Sequence, residues 1–353
     1  MQRIGRIRQT NCGRTGKAEV NQAKLQVVRQ MAKRKYIKYG IVVLITALLV
    51  FYFRDSWGET AREIMHTPLK NVLAVTGLST CFFLIDGRII QMLAGRTKQE
   101  FSVRHGIGCA FYCALFRMVT FGSGTAVAEV FYLNKKKVLP AKASSAAVVQ
   151  YTAQRIAVGV YGTAGFLFLS LKNRQLLGKY HTYLPAGIGI CILIAAVLLT
   201  ISVSKTAAGC IFQAADRAAA KHPKWKEKLE KAREQTEILQ QETRDLFLYD
   251  RKRLAEIFLC SLAKMTCWYL IPCVMLCGQN GNSFDTVLPL TAVSYMLSGV
   301  IPVPGGFGSV EGIFYLFFSP LTGQGAVLSA ILIFRFAVTF FPALIGAFVF
   351  FTE

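Results

Sequence analysis

Eight ionisable side chains stand inside long apolar runs: Asp86, Arg88, Arg117, Glu129, Arg155, Lys264, Glu311 and Arg335. A charge at bilayer depth costs about 2.5–3.5 kcal/mol on insertion scales, so such residues face a cavity or a partner. Arg117 and Glu129 flank one glycine-rich break, Glu311 directly follows a second, and Arg155 and Arg335 sit within full spans near them. An arginine guanidinium is a planar fork of donors that matches a phosphate. The chemistry open to this set is capture of an anionic head group in a polar cavity. The alternative is a group of internal salt bridges that hold spans together. Asp86 and Arg88 stand nearer a span end and read as structural. Lys264 lies deep enough to need a partner, which the sequence does not identify.

The elements that must position these groups are apolar runs at 37–53, 71–93, 105–133, 143–170, 183–203, 254–277, 284–320 and 326–350. About 18 apolar residues suffice to cross the ~30 Å hydrocarbon core. With 53% of 353 residues hydrophobic, the fold class is all-α and multi-pass in a membrane, not a soluble enzyme. Residues 1–36 are a basic tail. The run at 37 is followed by Arg54-Asp55 rather than a small-residue cleavage site, so it reads as a retained anchor.

The net charge of +22 invites a nucleic-acid reading, yet no RNA-binding or helix-turn-helix pattern accompanies it. Position is more telling than total. Of 41 Lys and Arg, 29 fall in 1–36, 94–104, 134–142 and 204–253, against 6 in 54–70, 171–182, 278–283 and 321–325. Positive loops mark the cytoplasmic side, which puts both termini in the cytoplasm of a cell-membrane protein.

That assignment places both flanks of 105–133 on one side. The run is too long for one pass, too short for two, and is broken at Phe121-Gly122-Ser123-Gly124-Thr125. It reads as a re-entrant pair of half-helices. The run 284–320 has charge-poor flanks and a break at IPVPGGFGSVEG, 301–312, where prolines remove amide donors and glycines let the chain turn. It reads as a second hairpin from the opposite face. The expectation is six full spans plus two opposed hairpins, an arrangement typical of inverted-repeat transporters. A helix amino terminus at 308–312 would offer backbone donors to an anion. Residues 204–253 read as a cytoplasmic helical linker, lying on the membrane surface or a neighbouring loop, or else as a solvated connector.

Several features carry no chemistry. Cys109/Cys113 and Cys273/Cys277 share helix faces and read as packing residues. His66, His105, His181 and His222 are scattered near span ends or in loops. There is no Walker A, GxSxG or HExxH motif, and no Gly-Lys-Ser/Thr follows Gly305-Gly306-Phe307-Gly308. We expect no cofactor, no metal site and no catalytic residue.

Pro302, Pro304, Gly305, Gly306, Gly308 and Glu311 resemble the Pro-x-Pro-Gly-Gly-x-Gly-x-x-Glu signature of the lysylphosphatidylglycerol synthase/flippase membrane domain family. Arg335 matches an arginine of that family. Phe121 to Gly124 with Glu129, and Gln154-Arg155, resemble its first break and its Glu-Arg pair, with a proline missing and glutamine in place of glutamate. The resemblance covers 36–350. It implies movement of an anionic or aminoacylated phospholipid, such as lysylphosphatidylglycerol, between leaflets. It also implies a link to resistance against cationic antimicrobial peptides. The implied site is Arg117, Glu129, Arg155, Gly305, Gly306, Gly308, Glu311 and Arg335. Full-length bacterial members carry a lysyl-tRNA-dependent transferase domain after the membrane part. Here three residues follow the last apolar run, so the expectation is a stand-alone membrane domain. Its partners would be phospholipid, a separately encoded aminoacyl-lipid synthase and, as a homo-oligomer, its own copies. No nucleic acid would bind directly. Two further readings stand beside this one. In the first, the chain is a component of a phosphatidylglycerol lysyltransferase without its own catalytic domain. In the second, it is a non-transporting structural protein.

Overall fold

The computed structural model describes residues 67–96, 101–120, 122, 124–172, 184–204, 209, 223–300 and 308–352. The expected first span, 37–53, and the centre of the second break, 301–307, lie outside the described residues. All regular structure among the described residues is helical.

The helices are α1 Leu69–Ala94, α2 Val103–Val119, α3 Thr125–Lys135, α4 Pro140–Lys172, α5 Leu184–Val203 and α6 Pro223–Tyr249. They continue as α7 Arg251–Leu276, α8 Phe284–Ser298, α9 Ser309–Thr322, α10 Gln324–Arg335 and α11 Phe341–Thr352. Among the described residues, three stretches are long and apolar enough to cross a bilayer: α1, α7 and the continuous Gln324–Thr352. The runs 143–170 and 183–203 form α4 and α5.

Both expected breaks separate helices. The first is built locally. Thr120 closes α2 by donating from its hydroxyl to the Phe116 carbonyl at 2.7 Å, and the same oxygen accepts the Gly124 amide at 2.8 Å. Gly122 adopts φ +87°, where a side chain would be strained, and its amide donates back to the Arg117 carbonyl at 2.7 Å. The second break ends at Gly308, also at φ +87°, from which α9 starts.

Packing between the two halves is reciprocal. α1 lies along α7; α4 packs on α8, while α11 packs on α2. Within each half the broken pair stays in contact, α2 with α3 and α8 with α9. Glycines permit the closest approaches. A Cβ at Gly106 would come within 2.1 Å of the Gly87 carbonyl oxygen, and one at Gly346 within 2.1 Å of the Phe111 carbonyl oxygen. In a bilayer, where lipid tails are as apolar as leucine, such backbone proximity is a main source of helix association.

The last helical stretch is interrupted by a π turn, Phe336–Phe340. Pro342 has no amide to offer the carbonyl four residues back, which favours the wider turn. The Ser79 hydroxyl donates to the Ala337 carbonyl at 2.6 Å, tying this turn to α1.

The linker helix α6 is docked rather than solvated over its carboxy-terminal half. Thr243 and Leu246 are buried there. Ser145 and Thr243 hydroxyls bond at 3.1 Å, and Lys142 pairs with Glu242 at 2.8 Å. Arg96 adds a bond to the Glu242 carbonyl at 3.1 Å. The surface it covers is formed by α4, α5 and α7, with Arg96 just beyond α1.

Candidate functional site

A cavity of about 1110 Å³ opens between α1, the first broken pair, α4, Trp268 of α7, the end of α8, the start of α9 and the α10–π-turn junction. Of the residues expected to act, Arg117, Glu129, Arg155 and Arg335 all line it. They come from four different helices, so packing brings them together, not sequence proximity. Gly305 and Gly306 lie outside the described residues.

Arg117 sits in the last turn of α2, with its guanidinium 5.9 Å from the Phe83 ring centroid. Arg155 lies over the Tyr151 ring at 4.8 Å and reaches Gly299, just past α8. A Cβ at Gly299 would come within 2.8 Å of Arg155 Nη1. The carboxy terminus of a helix carries partial negative charge, which favours a cation there. Among the described residues neither Arg117 nor Arg155 has an ion-pair partner. Glu129, on α3, is 6% exposed, and its Oε1 has no hydrogen-bond partner among the described residues.

Glu311 is placed differently. The Gly308 amide donates to Glu311 Oε2 at 2.8 Å, so this carboxylate caps its own helix. Its other oxygen pairs with Arg335. The amino terminus of α9, expected to receive an external anion, already holds an internal one. Glu311 lines a small apolar pocket beside the main cavity, with Trp268, Tyr295 and Phe334. Those three rings also line the main cavity, and Trp268 packs edge-on against the other two.

Asp86, read from the sequence as structural, lines the cavity and supplies the partner that Lys264 needs. The Lys264 ammonium donates to Asp86 Oδ1 at 2.5 Å and to Gln154 Oε1 at 3.0 Å. Gln150 Nε2 donates to the same Asp86 oxygen at 2.9 Å. Lys264 is only 1% exposed. Burying an ammonium there without a counter-charge would be costly, so the pair is a condition of burial. The departure from the expected Glu-Arg pair has a visible consequence: Gln154 gives Lys264 a neutral acceptor rather than a second carboxylate.

The formal charges of the cavity and its flank can be paired off. Lys264 cancels Asp86 and Arg335 cancels Glu311. Arg117, Arg155 and Glu129 remain, a net positive charge facing open space. Buried polar groups without partners usually wait for water or a ligand.

Length, composition and packing define a multi-pass α-helical membrane protein with a charged internal cavity. The chain belongs to the family described as lysylphosphatidylglycerol synthase TM region, whose model matches residues 38–346. This membership ties it to lysylphosphatidylglycerol synthesis or flipping. A search of curated proteins gives no match.

Proposed function

We propose that this chain moves a phospholipid, anionic or aminoacylated, between the leaflets of the cell membrane. The observation that carries the reading is the large cavity onto which Arg117 and Arg155 open, neither with an ion-pair partner among the described residues. Arg117 and Arg155 hold the phosphate. Glu129 accepts a hydroxyl or ammonium proton of the head group. The acyl tails stay in the surrounding lipid.

The Glu311–Arg335 pair braces the second break and keeps its rigid half-helix against the cavity wall. The reciprocal packing of the two halves supports an inverted repeat, with the hairpins entering from opposite faces. Alternating access then follows from rocking one half against the other. The Lys/Arg asymmetry supports cytoplasmic termini. When the cargo is aminoacylated, a separately encoded synthase supplies it. Outward movement of a cationic lipid would repel cationic peptides.

The test is a leaflet assay in liposomes with fluorescent phosphatidylglycerol and a membrane-impermeant quencher. Hydrogen bonds to charged groups contribute about 1.5–3 kcal/mol each, so Arg117→Ala or Arg155→Ala should slow translocation about tenfold or more. Wild-type rates in both variants would refute the proposal.

A further inference from the structure

A second cavity, of about 560 Å³, lies on the other face of α4, enclosed by α4, α6 and the start of α7. Its walls are largely apolar, formed by Val149, Ala153, Ile156, Phe247, Leu254 and Phe258. Two polar features interrupt them. The Thr152 side chain is 5% exposed, and its hydroxyl has no hydrogen-bond partner among the described residues. Arg251 stands exposed at the edge. Arg253 is held by Asp250 at 3.3 Å, whereas Arg251 and its neighbour Lys252 have no ion-pair partner among the described residues. An apolar slot with an arginine at its edge that has no ion-pair partner among the described residues complements an amphiphile with an anionic head.

We infer that this cavity is a lipid-binding site distinct from the translocation cavity, and that it holds one acyl chain of an anionic phospholipid with its phosphate against Arg251. The volume falls within the roughly 300–1000 Å³ of ordinary ligand sites. The charge is that of a surface segment that attracts anionic lipid. The site joins the linker helix to the spans, since Thr243, which bonds to Ser145, also lines it. Val148 lines both cavities, and α4 carries Gln150, Gln154 and Arg155 into the other one. A chain seated behind α4 therefore braces the helix that presents these groups, and binding there sets the transport rate without touching the cargo.

The experiment is native mass spectrometry of the full chain in neutral detergent, titrated with phosphatidylglycerol and phosphatidylcholine of identical acyl chains. Every arm carries Arg117→Ala and Arg155→Ala, which silence the translocation cavity. In that background the chain should hold one phosphatidylglycerol about fivefold more tightly than phosphatidylcholine, the effect of roughly one interfacial arginine. Adding Ala255→Trp, at an exposed position on the edge, should remove that lipid. Adding Arg251→Gln should bring the two lipids to equal affinity. Retention of the lipid after Ala255→Trp at undiminished affinity would overturn the inference, as would equal affinities in the background itself. If Ala255→Trp does not fold, the Arg251→Gln comparison decides alone. Either overturning result with intact leaflet transport by the wild type would leave the translocation reading standing.

Discussion

Lys264 offers the most direct measure of how the buried charges are organised. Replacing it with methionine keeps the volume and removes the charge. Asp86 would then sit 5% exposed with only the Gln150 amide as donor. At 2.5 Å and an effective dielectric of about 20, Coulomb attraction in the pair is about 7 kcal/mol before desolvation. Desolvation offsets most of that, so the pair itself is close to neutral, while an orphaned partner is not. The expected loss for Lys264→Met alone is about 3–5 kcal/mol. For Lys264→Met combined with Asp86→Leu the expected loss is under about 1.5 kcal/mol, as for a volume-conserving apolar swap. The assay is reversible unfolding in mixed detergent–SDS micelles, run as a double-mutant cycle. Additive losses, or a stable Lys264→Met, would show that the two groups do not depend on one another and would refute the pairing argument.

Gly106→Leu and Gly346→Leu should each cost at least about 1–3 kcal/mol and reduce monodisperse yield, because the added Cβ meets a backbone carbonyl. Gly77→Ala, with nothing within 4 Å, should instead be neutral or stabilising by up to about 1 kcal/mol; size-exclusion profiles and unfolding curves check both. Gly299→Ala should displace the Arg155 guanidinium and lower lipid translocation, while stability stays within about 0.5 kcal/mol of wild type.

The breaks were legible because glycine and proline announce themselves locally. Gly122 and Gly308 occupy the left-handed conformations that their clusters imply. Arg117, Glu129, Arg155 and Arg335 were legible because charge inside hydrocarbon is rare enough to be informative by itself. The partner of Lys264 was not legible. Asp86 and Lys264 are 178 residues apart, and only the packing of α1 along α7 joins them. Glu311 stands three residues after Gly308, close enough to cap its own helix, but that requires the turn to be seen in three dimensions. The docking of α6 was hidden by its polarity, since Thr243, Glu242 and backbone carbonyls share the contact with only a few apolar side chains such as Leu246 and Phe247.

The π turn at Phe336–Phe340 fixes a phase relation within the last helix. One extra residue in the turn rotates everything before it by about 100° relative to everything after it. Arg335 can therefore meet Glu311 while Gly346 stays against Phe111, a combination that a regular α-helix of this sequence would not give. Shortening that turn by a single residue would keep the composition, length class and hydropathy of the segment almost intact, yet would leave its two ends answering to different partners.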